Sequence, residues 1–294
     1  MTDFPDLGPD EAASYLWPPC TVEEASLSEF QSRILDFYHR HGRTFPWRES
    51  GDAYHILLSE VMLQQTQTSR ALPKYELFLS LWPTIEALAG ATLLDLLTAW
   101  KGLGYNRRAL YLHQSAKACE AWGWKLPSDE HLLRTLPGVG KATAAALMAF
   151  AFGERSIYLE TNIRRVIIHS FFRAEEQVTD RQVEAVLSRL LDGIDDYRSW
   201  YYALMDYGVL LKALLPNPNR KSAHYRGQSA FENSNRQIRG LLIHLLSEGG
   251  PKDGAAIGTT LGTFEWDRVV SCLEALTEEG FVEEQGGVYG IRRV

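Results

Sequence analysis

Apolar residues recur at three- and four-residue spacing along most of the chain, the period of an amphipathic helix. Between residues 27 and 41, Leu27, Phe30, Ile34, Leu35, Phe37 and Tyr38 keep that spacing, and Gly42 closes the segment. The same pattern predicts helices over about 53–69, 73–81, 84–88, 92–101, 105–121, 129–134, 141–152, 162–172, 180–191 and 196–214. No convincing two-residue alternation precedes residue 280, so the first 230 residues read as all-α. Residues 1–25, rich in proline and acid, read as an arm or extended leader. At 216–230 the sequence turns polar, basic and rich in turn formers, as a loop or linker does. Beyond it, helices are expected near 236–246, 253–261 and 265–279. Residues 281–284 and 288–291 then flank Gln285-Gly286-Gly287, a hairpin signal. Three helices and a hairpin make a winged helix-turn-helix pattern. The expected organisation is mainly α: an arm over 1–25, a helical domain over 26–230 and a winged-helix domain over 231–294.

Charge narrows the function classes. Thirty Lys and Arg stand against 37 Asp and Glu, a net of −7 over 294 residues. A polybasic coat is excluded, so any nucleic-acid contact must come from a local patch. No apolar run is long enough for a transmembrane helix, and the first 20 residues lack the basic and apolar regions of a signal peptide. No membrane partner is expected. Cys20, Cys119 and Cys272 are the only cysteines and lie far apart. That excludes a disulfide scaffold, a four-cysteine zinc site and an all-cysteine iron–sulfur cluster. A reducing, cytoplasmic setting near the nucleoid is expected, with a monomer as the default.

Four segments carry candidate chemistry. In Leu136-Pro137-Gly138-Val139-Gly140-Lys141, two glycines allow a tight turn and a close approach to another molecule. Outward N–H groups at the following helix start would suit a DNA phosphate, directly or through a monovalent cation, with Lys141 adding charge. A plain helix–turn–helix corner is the alternative. In Ser59–Gln67, Ile56, Glu60 and Leu63 share one helix face. Desolvation on that apolar stripe would raise the Glu60 pKa toward that of a general acid, unless its carboxyl reaches water at the stripe's edge. Gln64, Gln65, Thr66 and Gln67 follow as an uncharged cluster able to fill a gap in a base stack or read base edges, or simply to solvate a helix end.

The third segment is Tyr158–Val166. Glu160 stands at a helix start, where the dipole would keep it ionised or where it merely caps. Paired with Glu60, it would give one carboxyl in an apolar setting and one held anionic, the division used to break glycosidic bonds. Arg164 and Arg165 could meet phosphates, or one could be a plain surface charge. In the fourth segment, Trp100–Arg108, Tyr105 on a glycine-rich turn beside Arg107 and Arg108 suits wedging into a base stack while gripping the backbone. A packed tyrosine at a helix start is the alternative.

In order, FPWR…SEVMLQQTQ, GLGY, LPGVGK and LETNIRRV resemble the helix-hairpin-helix DNA glycosylase superfamily, and most closely its A/G-specific adenine glycosylases. The resemblance covers about residues 27–215. It implies a two-lobed helical fold with the active site between the lobes. Glu60 then corresponds to the acid that protonates the departing base, and Glu160 falls where the family has an Asp that stabilises the oxocarbenium sugar. Gln64, Gln65 and Tyr105 align with residues that enter the duplex, and Asn162 with the family's Asn after the acid. The superfamily's lyases carry a nucleophilic Lys where Ala142 stands, so a monofunctional hydrolase is expected.

Three departures qualify that resemblance. Glu160 is one methylene longer than Asp. The family's four-cysteine cluster loop is replaced by residues 216–226, where Arg220 and Lys221 could still hold a phosphate, so no iron–sulfur cofactor is expected. The C-terminal segment is not the 8-oxoguanine reader of adenine glycosylases. From residue 231 onward six basic residues face ten acidic ones, a net of −4, and the expected recognition helix 265–279 is acidic. That argues against ordinary major-groove reading and for docking on the core or on a protein partner. Duplex DNA with a damaged or mispaired base is the expected partner. Adenine opposite 8-oxoguanine or G is the leading substrate, and hypoxanthine or a modified pyrimidine, or a non-catalytic lesion binder, are the alternatives.

Overall fold

A computed structural model describes residues 4, 6–23, 25–223, 225 and 231–293. In chain order its helices are α1 (Pro9–Ser14), α2 (Leu27–His41), α3 (Pro46–Glu49), α4 (Ala53–Leu63), α5 (Thr68–Leu81), α6 (Ile85–Ala89), α7 (Leu93–Trp100), α8 (Arg107–Ala118) and α9 (Glu130–Leu133). They continue as α10 (Lys141–Phe150), α11 (Thr161–Phe171), α12 (Asp180–Leu190) and α13 (Tyr197–Leu214). The C-terminal module runs α14 (Asn235–Gly249), β1 (Lys252–Asp253), α15 (Gly254–Thr260), α16 (Trp266–Glu278), β2 (Val282–Gln285) and β3 (Val288–Ile291). The fold is mainly helical, as the periodicity predicts.

Local chemistry explains most boundaries. Thr179 caps α12 through a reciprocal capping box with Gln182, and Thr84, Thr92 and Ser26 each accept from a first-turn amide of α6, α7 and α2. One boundary departs from expectation. The segment 53–69 is not one helix: α4 stops at Leu63, and Gln65 takes φ +54°, outside the helical range. In the C-terminal hairpin, β2 and β3 pair antiparallel with Gln285 opposite Val288, and Gly286 and Gly287 take φ +61° and +81°, the requirement of a two-residue primed turn. The two-residue β1 adds to β3, giving the order β1-β3-β2.

The chain divides into two compact units, each discontinuous in sequence. Unit one holds residues 1–56, 128–130 and 140–227. Its centre is α13, which packs on α11 and α2 and buries Trp200, Tyr201, Leu204 and Tyr207 completely. Phe30 packs edge-on against Phe171 at 4.8 Å and Trp200 at 6.5 Å. The N-terminal residues add to this core: Leu7, Ala12, Tyr15 and Trp17 are buried, and Tyr207 Oη donates to Tyr15 O while accepting from Trp17 N. Buried Asp206 accepts from Arg43 and Arg48, which fixes the Phe45-Pro46-Trp47-Arg48 segment on α13.

Unit two holds residues 57–127, 131–139 and 228–294. The C-terminal module therefore clusters with α5–α8, and α14 packs on α7 and α16. Fully buried Trp100 packs edge-on against Phe78 at 5.7 Å, and its Nε1 donates to Gly104 O at 3.0 Å. The indole thereby anchors the glycine-rich loop that follows α7.

Candidate functional site

Glu60 is half-buried on α4, one turn before the helix ends. The chain then makes the Gln64–Gln67 turn. A cleft of about 1230 Å³ within unit two is lined by Gln64, Gln65, Gln67, Tyr105, Arg107 and Gly138, among others. Six of the sequence-predicted contact residues thus share one concavity. Two of them are held in backbone conformations that L-residues avoid: Gln65 at φ +54° and Tyr105 at φ +48°. Each costs on the order of 1–2 kcal/mol and persists only where the surroundings dictate it, as at binding sites.

Arg108 supplies that constraint. It is buried, with Nη1 donating to Val61 O, Met62 O and Gln64 O at 2.7–3.0 Å, and Nη2 to Thr66 Oγ1, Leu103 O and Gly104 O at 3.0–3.2 Å. One guanidinium satisfies the open carbonyls at the end of α4 and ties the polar turn to the glycine loop. Burial pulls its pKa down to about 10, still far above neutrality. The sequence reads it, with Arg107, as a grip on the DNA backbone; the structure turns it inward instead, a direction for which the sequence has no local signal. Thr66 is engaged here rather than lining the cleft.

The Pro137–Val139 turn packs against α8. Gly138 takes φ +75°, and a Cβ there would fall 2.7 Å from Tyr111 Cβ, so the position demands glycine. Ser115 Oγ donates to Pro137 O at 2.7 Å. Val139 is buried and its amide donates to Leu136 O, so its side chain and N–H both serve the turn itself. Exposed Gly140 caps α10 in unit one, and Lys141 begins that helix, its ammonium 2.6 Å from Glu184.

In unit one, Glu160 is the N-cap of α11, as its position predicts. Its Oε1 accepts from the amides of Asn162 (2.7 Å) and Ile163 (2.9 Å), and Oε2 from Asn162 Nδ2 at 3.3 Å. Asn162 Oδ1 in turn accepts from Arg165 at 2.6 Å, and Arg165 also donates to Gly208 O at 2.9 Å. Glu160 keeps part of its surface open but sits deep among packed atoms. Desolvation pushes its pKa above the ordinary 4.5, against the pull of the two amides and of Arg165 and Arg164. Desolvation thus opposes the helix start, which favours the ionised form. Gly208 on α13 is required by this contact, since a Cβ would meet Asn162 O at 2.6 Å. Arg165, expected at a phosphate, is buried and faces inward. Arg164 forms a two-bond pair with Asp180, both bonds 2.9 Å.

Side chains of the protein itself fasten the segment standing where the family carries its cluster. Lys221 Nζ donates to Phe172 O and Arg173 O at 3.0 and 3.2 Å, covering the C-terminal carbonyls of α11, and buried Asn219 donates to Thr161 O. Arg220 is exposed. Residues 224 and 226 of that loop lie outside the described residues. The segment offers no cysteine, and burial pushes the thiol of Cys119 up to about 11. These residues do not fit a cysteine-held cluster.

Residues 58–192 match the family described as HhH-GPD superfamily base excision DNA repair protein. An adenine DNA glycosylase of Mycobacterium tuberculosis is 35% identical over 237 residues, which cover 73% of this chain and 77% of that protein. One from Buchnera aphidicola is 34% identical over 194 residues, 64% of this chain, so the match spans about half of that relative's length (54%). Among solved structures, a thermostable thymine-DNA glycosylase superposes with a TM-score of 0.57 at 27% identity, covering 66% of this chain and 91% of that one. Endonuclease III in a non-covalent DNA complex shares the fold at a TM-score of 0.50 and 16% identity, covering 60% of this chain and 86% of that one.

Proposed function

Since the chain belongs to the HhH-GPD superfamily of base excision DNA repair proteins, we propose that it is a DNA N-glycosylase without lyase activity. Its leading substrate is adenine mispaired with 8-oxoguanine or G in duplex DNA. The observation that carries this reading is the cleft where the Gln64–Gln67 turn and Tyr105 meet, both in strained conformations, with Glu60 one turn upstream on α4. A wedge and a hydrogen-bonding turn are what extruding a nucleotide and filling its place require. Glu60 protonates the flipped purine at N7. The N-glycosidic bond then breaks with oxocarbenium character, the Glu160 carboxylate stabilises that cation, and water completes the hydrolysis to an abasic site. Ala142 stands where a lyase would need its Lys nucleophile, which supports hydrolysis alone.

A second reading keeps the chemistry class but moves the base. The likeness to a structure named as a thymine-DNA glycosylase favours a mispaired or deaminated pyrimidine. With no N7 to protonate, Glu60 would then activate water.

Single-turnover excision separates the two, run on duplexes containing A opposite 8-oxoguanine, A opposite G, hypoxanthine, uracil or T opposite G, with alkaline cleavage of abasic sites. Product from the adenine mispairs, lost by a factor of about 10² or more in Glu60→Gln, is expected. Product from T or uracil alone would move the specificity. Tight lesion binding with no product from any duplex would overturn the enzymatic reading and leave a lesion-binding protein.

A further inference from the structure

Within unit two the C-terminal module sits against the glycine loop. Arg107 and Arg239 share Glu279, the residue just past α16, and Lys101 pairs with Glu248 on α14. These pairs place one face of α14 as a wall of the cleft, with Arg236, Arg239 and His244 lining it together with Gln64, Gln65 and Tyr105. The charged lining is Arg and Lys apart from Glu248. In a chain of net charge −7, this is the local basic patch that contact with DNA requires.

The rest of the module has the opposite character. Helix α16 carries Asp267, Glu274 and Glu278 along its length, and the hairpin carries Glu283 and Glu284. Its one arginine, Arg268, is spent on Asn233 and Asn235. At the mouth of α14, by contrast, the Arg236 guanidinium donates to Tyr105 Oη at 2.6 Å. It also lies over two rings, 5.4 Å from that of Tyr105 and 5.3 Å from that of Phe231. Phe231 is 54% exposed. Two aromatic faces with an arginine between them, open to a basic cleft, are a platform for unstacked bases and the adjoining phosphate.

We propose that the module binds DNA through α14, with Phe231 and Arg236 touching the strand beside Tyr105, rather than through α16 or the hairpin. This deepens the glycosylase reading and rests on it for the nature of the ligand. It assigns to the module's first helix the work that a winged helix-turn-helix ordinarily gives to its recognition helix.

The test is equilibrium binding of the full chain to short duplexes, matched and mispaired, by fluorescence anisotropy between about 50 and 200 mM salt. Arg236→Ala should weaken binding about tenfold at the low-salt end, with every sequence affected and the salt slope reduced by about one. Phe231→Ala, at a solvent-open position where folding is not at stake, should weaken binding about fivefold with the slope unchanged. Arg293→Glu, just past β3, should change binding less than about twofold. Wild-type affinity in both Phe231→Ala and Arg236→Ala, or a large loss confined to Arg293→Glu, would overturn the proposal. Because any duplex serves as the probe, a failure to excise adenine would leave this outcome readable.

Discussion

Two of the arginine pairs, Arg164-Arg165 in unit one and Arg107-Arg108 in unit two, look alike in sequence and are built alike. Arg164-Arg165 stands in the first half of α11, and Arg107-Arg108 opens α8. In each, the second arginine is buried and donates to oxygens of its own unit, and the first rides on a carboxylate, Asp180 or Glu279. They differ in what the inner arginine holds. Arg165 reaches Asn162 and one carbonyl, and so steadies a cap. Arg108 reaches six acceptors and holds two strained turns together. Each of these two pairs is thus half scaffold and half surface, and the scaffold half does more where the backbone is less comfortable.

Replacing the inner arginines should separate the two regions most sharply. Arg108→Met strands several buried acceptors and should cost about 3–5 kcal/mol. Arg165→Met strands two and should cost about 2 kcal/mol. Thermal and denaturant unfolding of the two variants measures the gap, and equal losses would break the comparison. The outer arginines should behave in the reverse sense. Arg107→Ala and Arg164→Ala each remove a partly exposed ion pair and should cost less than about 1 kcal/mol, while DNA affinity falls if the outer arginine turns to phosphate. Unchanged affinity in both would make all four arginines structural.

A smaller effect sharpens the unit-one side. Burial raises the Glu160 pKa above 4.5, so the folded state binds that proton more tightly than the unfolded state does. Stability then falls as pH rises from about 4.5 through the raised folded value, and is level beyond it. Glu160→Gln keeps an accepting oxygen for the amides of Asn162 and Ile163 but has no proton to lose. Relative to wild type, its melting temperature should climb across that window and then plateau. A difference that is flat with pH would mean that the amides cancel the desolvation.

What the sequence made legible follows from what has a period or a motif. Amphipathic helices such as α2 and α12 were readable from the spacing of their apolar positions, and the Gly286-Gly287 turn and the polar run after Glu60 from their residue types. The end of α4 was not, because Gln64, Gln65 and Thr66 are all acceptable in a helix, and only the distant Arg108 makes the turn worth its strain. Strand β1 is too short to alternate. The packing of Leu7, Tyr15 and Trp17 had no periodic signature, since an irregular segment meets a core at irregular intervals. Arginine direction is equally silent: Arg107 and Arg108 differ by one residue in number and by almost everything in surroundings.

The discontinuous threading of the two units also has a consequence for how the protein is made. Unit one has all its residues once the chain has grown to 227, whereas unit two needs 228–294 to meet 57–127. At about 5–20 residues per second, synthesis of that stretch takes roughly 3–13 s. For that interval the surface of α7 that α14 will cover stays open, and the glycine loop lacks the module that flanks it. Unit two is therefore the later-completed of the two during translation.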